Sequence, residues 1–302
     1  MKSFRRALSA LLGGLSLSLA GCATPQAVQP DASESAAAGP ALWMVADEDT
    51  TIYLFGTVHV LPKDVEWYGG PVAKALDASQ VLVTEIPTGE LTTQAVQQEF
   101  VAKAQLPPGQ SLRAMLTDEQ RATYEAAMTK LGVPVEAFDG VEPWFAAMTL
   151  SALPLLKNGY SMDAGVEKAI ESKAGGKSRA ALETVDSQLR LFDEMPMPAQ
   201  ISYLVSVAQQ VDSVLPSMNE MVAAWARGDA ERLAALMNKE LDDPALAERL
   251  LYARNRDWAQ WVEKRLDQPG TVFVAVGAGH LAGDHSVQDY LAKAGTKIVR
   301  LQ

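Results

Sequence analysis

Apolar positions change their period several times along this chain of 302 residues. Leu42 to Ala46 and Thr51 to Val58 read as two strands joined through 47–50 as a hairpin. Trp67 to Asp77 carries apolar residues at helical spacing, and the apolar run Gln80 to Ile86 is a third strand stopped by Pro87. Strand, helix, strand in that order indicates a parallel βαβ unit. From Thr92 to Ala174 the spacing is helical, with Thr117-Asp118-Glu119-Gln120 opening one helix and Gly132 closing it. Ser178 to Glu183 is a short strand after the turn at Gly175-Gly176. Val185 to Leu266 is again mostly helical, interrupted at Pro196, Pro198, Pro216 and Pro244. The end returns to α/β, with a strand at 271–276, a helix at 284–294 and a strand at 296–301. The pattern predicts an α/β fold: a mixed, largely parallel central sheet built from both chain ends. A large helical insertion, roughly 90–175 and 185–268, would cover it.

The first 21 residues read as a sorting signal. Lys2, Arg5 and Arg6 form a positive start, and Ala7 to Leu19 is a short apolar stretch. Leu19-Ala20-Gly21-Cys22 resembles a bacterial lipoprotein cleavage box, which implies lipidation of Cys22, the sole cysteine. Ala23 follows it, as in lipoproteins sent to the outer membrane. Residues 22–40 are small, polar and proline-punctuated, a composition that cannot bury enough surface to order, so they are expected to form a tether. No later stretch reaches the roughly 18 apolar residues needed to span a bilayer. The expected membrane partner is therefore reached through the lipid on Cys22, with residues 41–302 as one large domain facing the periplasm. Charge narrows the partners further. There are 26 Lys and Arg against 37 Asp and Glu, and three of the basic residues lie in the leader. Such a balance repels nucleic acid.

Candidate chemistry is concentrated in two tetrapeptides. The chain has 3 His, and two of them end similar frames after apolar strands: Gly56-Thr57-Val58-His59 and Gly277-Ala278-Gly279-His280. In open α/β sheets ligands bind beyond the carboxyl ends of the strands, and His59, Glu85, Glu183 and His280 all fall there. Imidazole and carboxylate suit divalent metals, and two His with one Glu leave a position open for a water that the metal acidifies. Glu85 ends an apolar strand, where a carboxylate is costly to bury unless paired or metal-bound. Gly56, Gly277 and Gly279 would allow tight turning and close backbone approach. His285 reads as a surface residue and Asp284 as the N-cap of the last helix. Gly277 to Ala282 matches a dinucleotide fingerprint, but no acidic residue lies about 20 positions on. Neither HExxH nor GxSxG occurs.

Several short pieces together carry a family resemblance. They are Leu54 to His59, Val83-Thr84-Glu85, Gly159 with Asp163, Leu182-Glu183-Thr184 with Gln188, Arg254-Asn255, and Gly277 to Gly283. Ser286-Val287, Leu291 and Gly295 extend the last piece. In order and spacing they resemble the TraB/GumN (TraB/PrgY/GumN) family, which is similar to the Tiki-type metalloproteases, over nearly all of 42–302. The resemblance implies a mixed sheet under a helical cover and a metal-dependent peptidase chemistry. It assigns His59, Glu85 and His280 as ligands to a divalent ion (zinc, manganese or cobalt). Glu183 is then a candidate general base or a partner of the ligands, and Arg254 a candidate substrate or oxyanion contact. The expected function is a membrane-anchored, periplasm-facing hydrolase acting on a peptide or other small substrate. The alternative is a non-catalytic envelope lipoprotein that binds haem, a metal or a polysaccharide.

Overall fold

Apolar runs from the two ends of the chain meet side by side as parallel strands. The computed structural model describes residues 39–89, 93–240 and 243–302; Cys22, the leader and most of the tether lie outside them. The strands are β1 (Leu42–Ala46), β2 (Thr50–Thr57), β3 (Leu61–Pro62), β4 (Val81–Thr84), β5 (Tyr160–Ser161), β6 (Ser178–Ala181), β7 (Gly270–Gly277) and β8 (Ile298–Arg300). The helices are α1 (Gly70–Ala78), α2 (Gln94–Ala104), α3 (Leu112–Met115), α4 (Asp118–Lys130), α5 (Pro143–Lys157), α6 (Val166–Lys173), α7 (Val185–Asp193), α8 (Met197–Gln209), α9 (Val214–Ala226), α10 (Ala230–Glu240), α11 (Pro244–Ala247), α12 (Ala253–Leu266) and α13 (Val287–Lys293). The main sheet runs β6-β4-β7-β2-β1-β8. Pairing is parallel from β6 to β2 and antiparallel from β2 through β1 to β8. The fold is thus α/β, with a mixed, largely parallel sheet. β2 and β4 are parallel as the βαβ order predicts, but β7 from the far end of the chain inserts between them.

Strand alternation places the core on both faces. Val272, Val274 and Val276 of β7 pack with Trp258 and Val262 of α12 and with Val287 and Leu291 of α13. Phe273 and Ala275 point the other way, onto Leu76 of α1, Ile170 of α6 and Trp225 of α9. Burial on two faces is why β4 and β7 are unbroken apolar runs rather than alternating ones. The helical insertion has a core of its own, where Tyr124 and Met128 of α4 meet Leu150 of α5 and Leu204 of α8. Thr117 starts α4 where anticipated, and the cap is reciprocal: its hydroxyl accepts from Gln120 N–H, and Gln120 Oε1 accepts from Thr117 N–H. Among the described residues no helix is long and apolar enough to cross a membrane.

Two local features depart from the expectations. Asp284 does not cap the last helix; Ser286 does, its hydroxyl accepting from Asp289 N–H at 3.2 Å. The chain passes through left-handed backbone at Gly283 and His285, which delays helix entry. The second feature is a two-stranded pair, Leu61 opposite Ser161 and Pro62 opposite Tyr160, whose second strand falls inside a region read as helical. It ties the chain after His59 to the start of α6. Val166 N–H donates to Val58 O at 3.0 Å in the same junction.

Glycine makes that junction possible. A Cβ on Gly165 would lie 2.3 Å from the carbonyl oxygen of His59 and 3.0 Å from that of Met162. Both are backbone atoms that cannot step aside. A Cβ on Gly279 would meet the far end of Met237, at 2.2 Å, which can rotate away. Gly165→Ala is therefore expected to cost about 1–3 kcal/mol and Gly279→Ala less than about 1 kcal/mol, measured by denaturant unfolding. Equal costs for the two would contradict this account of the α6 junction.

Candidate active site

Four adjacent parallel strands stop in register, and each is followed by a side chain with chemistry. Thr57 pairs with Gly277, Thr84 with Ala275 and Ala181 with Thr84. In sheet order the residues just beyond are Glu183, Glu85, His280 and His59. The backbone continues the alignment, Glu183 N–H donating to Glu85 O at 2.8 Å. This crevice past the carboxyl ends is where open α/β sheets bind ligands.

Arg254 draws three of these residues together. It enters from α12, directly after a π-helical turn at Glu248–Tyr252, the kind of widened turn that is frequent at functional sites. Its Nε donates to Glu183 Oε1 at 2.8 Å. Its Nη2 donates to Glu85 Oε2 at 2.8 Å and to Glu183 Oε2 at 3.1 Å. Its Nη1 reaches Leu250 O at 2.9 Å and His280 Nε2 at 3.0 Å. A guanidinium has five N–H donors, and all five are engaged here. In this arrangement Arg254 has none to offer a substrate or an oxyanion.

Each partner is fixed from a second side. Glu85 Oε1 accepts from Gly277 N–H at 2.6 Å, and its Oε2 from Gln188 Nε2 at 2.8 Å. A Cβ on Gly277 would stand 3.1 Å from that Oε1, so the glycine admits the carboxylate. Similarly, a Cβ on Gly56 would stand 3.0 Å from Ala278 Cα. Close approach, rather than left-handed backbone, is what the motif glycines supply. Glu183 Oε1 also accepts from Trp258 Nε1 at 3.0 Å. Of the two roles anticipated for Glu183, partner in the cluster suits this geometry, because Arg254 and Trp258 occupy its oxygens.

His280 is a buried neutral imidazole. Burial is the largest influence on it and pushes its pKa down to about 3, with the Arg254 charge adding to that. Its Nδ1 lies 2.5 Å from Asn255 Oδ1, and Asn255 Nδ2 donates to His285 O at 2.7 Å. The amide so oriented takes the Nδ1 proton, and the Nε2 lone pair accepts from Arg254. Among the described residues His285 is the non-glycine residue with positive φ, 60°. Its side chain is exposed as anticipated, yet its carbonyl sets the direction of the Asn255 amide. Trp258 lies against the His280 ring, centroids 4.2 Å apart, and under the guanidinium. Burial on its own would raise the Glu85 carboxyl. The Arg254 guanidinium and the Gly277 N–H oppose that and hold the group well below the usual carboxylate range.

His59 stands apart. Its side chain is 70% exposed, against 6% for His280 and 14% for Glu85. It is near enough to feel the charges of Glu85 and Arg254 but makes its direct bond to Glu167 of α6, Nδ1 to Oε1 at 2.6 Å. Thr57 Oγ1 donates to the same oxygen at 2.6 Å. The Glu167 hydrogen bond raises the pKa of His59 above its ordinary value.

These contacts decide whether the anticipated ion fits. Zinc, manganese or cobalt held by His59, Glu85 and His280 would need lone pairs that are otherwise engaged. That holds at two of the three residues: His280 Nε2 and Glu85 Oε2 face Arg254 and Glu85 Oε1 faces Gly277, whereas His59 gives only its Nδ1 to Glu167. Among the described residues no three His, Cys, Asp or Glu side chains are grouped to hold a metal. The residues as arranged do not fit the ion.

The strand-end reading names His59, Glu85, Glu183 and His280; Arg254 and Asn255 read as part of a helix charged on several sides, and Gln188 enters through the resemblance alone. Glu167, Thr57 and Trp258 went unseen. The spacing of Arg254 and Trp258, four apart on one helix face, was the available signal for the last of these.

The two histidines make opposite predictions for an NMR pH titration. His59 should titrate above the ordinary imidazole range, and Glu167→Gln should bring it back down. The stabilising His59–Glu167 contact is present below about pH 6.5 and is lost as pH rises through the elevated value. His280 should show no titration down to the acid limit of the fold. Its neutral burial contributes stability above about pH 6.5 that is lost as pH falls. A His280 that titrates near 6.5 would contradict the description of the cluster.

Comparison with known proteins agrees with this arrangement in extent. The profile of the TraB/PrgY/gumN family matches residues 41–300. An uncharacterized protein of Treponema pallidum (strain Nichols) is 20% identical over 266 residues, covering 83% of this chain and 80% of that protein. No solved structure matches. With the whole sheet and its helical cover inside the matched region, this chain belongs to the TraB/PrgY/gumN family.

Proposed function

We propose that this protein is a hydrolase of peptide or other acyl bonds, with His59 as the side chain that exchanges a proton with the substrate. The observation that carries the reading is the His59–Glu167–Thr57 arrangement at the open end of the crevice. Glu167 holds Nδ1 of His59, so Nε2 is the nitrogen left to face a ligand. An oriented histidine beside a carboxylate is a common proton-transfer unit. Hydrolysis adds water across the bond: hydroxyl goes to the acyl carbon, and the leaving amine or alcohol takes a proton. A histidine whose charged form is favoured suits that second transfer. Glu85, Glu183, Arg254 and His280 form the fixed wall beside it. The reading places the domain at the cell envelope, periplasm-facing and anchored through a lipid on Cys22, a residue outside those described. The Leu19-Ala20-Gly21-Cys22 box is what supports the anchor.

A panel of peptide and ester substrates tests the proposal. His59→Ala should lower kcat/KM by about 10²–10⁴-fold with little change in unfolding midpoint, because the side chain is exposed. Loss of rate should also follow Glu167→Gln, to a smaller degree. No turnover anywhere on the panel, or full activity in His59→Ala, would overturn the reading.

A further inference from the structure

The main sheet has two edges, and β6 forms the one beside Glu183, bound by β4 on a single side. Ser178 N–H donates to Gln80 O and Leu182 N–H to Thr84 O, both at 3.0 Å, so the even-numbered positions of the strand face β4. Arg179 and Ala181 therefore turn their N–H and C=O groups off the sheet. Among the described residues nothing pairs with those groups. Ser178, Arg179 and Ala180 are exposed, and a Cβ on Gly175 or Gly176, in the turn that leads in, would meet nothing within 4 Å. Edge strands are ordinarily blunted by free charge. Here the charged side chains are turned back onto the fold. Arg179 Nε donates to Glu171 Oε1 at 2.9 Å, and Lys177 Nζ donates to the carbonyl oxygens of Asp77 and Ser79 at 3.1 and 2.7 Å. At the opposite edge Arg300 of β8 binds the carbonyl oxygens of Gln302 and Gly228 rather than a carboxylate side chain, and Lys297 beside that strand is exposed.

We infer that the free edge of β6 is a self-association surface, which pairs antiparallel with β6 of a second copy of this chain. The edge is complementary to itself about a two-fold axis through Ala180. In that register Arg179 of each copy faces Ala181 of the other, so every outward-turned N–H and C=O finds a partner. At the axis the two Ala180 residues meet as a pair without hydrogen bonds, about 4.5 Å between Cα atoms, a distance that a methyl side chain tolerates. Arginine is not set opposite arginine, and each brings its own carboxylate from α6, which removes the penalty for like charges across a strand pair. The same operation on β8 would gather Lys297 and Arg300 of both copies, which disfavours that edge. A second copy continues the sheet, with its six strands on each side of the axis. Because the paired strands run in opposite directions, the two crevices open at opposite ends of the shared sheet and each site is left complete. The contact is short, so the dimer is expected to be weak. The inference stands independently of hydrolysis, since its readouts are mass and cross-linking.

Sedimentation equilibrium of the purified protein over a concentration series up to about 100 µM tests this. The mass is expected to rise from monomer toward dimer. Ala181→Pro removes an outward N–H at a place where an edge strand tolerates proline, and should weaken the dimer by about tenfold or more. Ala180→Lys sets like charges face to face at the axis and should do the same. Oxidative cross-linking reads the register without relying on either variant. Ala180→Cys should give a disulfide-linked dimer. Ser178→Cys should not, because at about 3.3 Å per residue it stands about 13 Å along the strands from its counterpart. Cys22 is common to all samples, so wild type supplies the background. A protein that stays monomeric across the series would overturn the inference. So would a dimer that keeps its affinity in both Ala181→Pro and Ala180→Lys, or cross-linking no stronger at position 180 than at 178, since either result puts the contact on another face.

Discussion

Arg254 is the point on which the site depends. Three adjacent strand ends bring two carboxylates and an imidazole into a partly desolvated crevice, an arrangement that repels itself unless a positive charge enters. The guanidinium does so from the far side, carried by a helix whose π-turn precedes it. Its planar fork matches the geometry: two edges meet carboxylates, and the third meets a carbonyl and a ring nitrogen. With every N–H engaged, the cluster is rigid and internally neutralised to one excess negative charge. A lysine could supply the charge but not the five directions.

The rest of the architecture follows from holding that arrangement still. α12 packs on one face of the sheet through Trp258 and Val262, so the helix that carries Arg254 is anchored by the same residues that cover β7. Trp258 belongs to both the core and the site. On the opposite face α6 meets the chain after β2 through the β3–β5 pair and the Gly165 approach, and this brings Glu167 to His59. The crevice therefore has two unlike halves. One is buried, saturated with hydrogen bonds and fixed; the other is an exposed histidine with a single carboxylate behind it. Chemistry on a substrate needs an available group, and that argues for the exposed half.

The sheet and its strand-end residues were legible because their signal is local. A continuous apolar run followed by Glu85, or by a glycine frame and His280, marks where a buried strand stops and a polar side chain begins. The β1–β2 hairpin and the capped start of α4 were legible for the same reason. What stayed hidden depends on contacts between distant segments. Glu167 lies on a short helix with no motif, and its role exists only because β5 pairs with β3. Arg254 sits on a helix charged on several sides, where a solvated face is the ordinary outcome. The expectation of a metal rests on donor types alone, and the cation that two of those donors, Glu85 and His280, face in the structure is Arg254. Asp284 was displaced as a cap because left-handed backbone at His285 moves the helix start onward.

Unfolding free energies most directly test whether Arg254 is the charge that holds the strand ends together. The account predicts that Arg254→Met costs about 3–5 kcal/mol, the usual consequence of leaving buried charges unpaired. It further predicts that adding Glu85→Gln and Glu183→Gln to that variant restores most of the loss. A cost below about 1 kcal/mol for Arg254→Met, or a triple variant less stable than the single one, would contradict it.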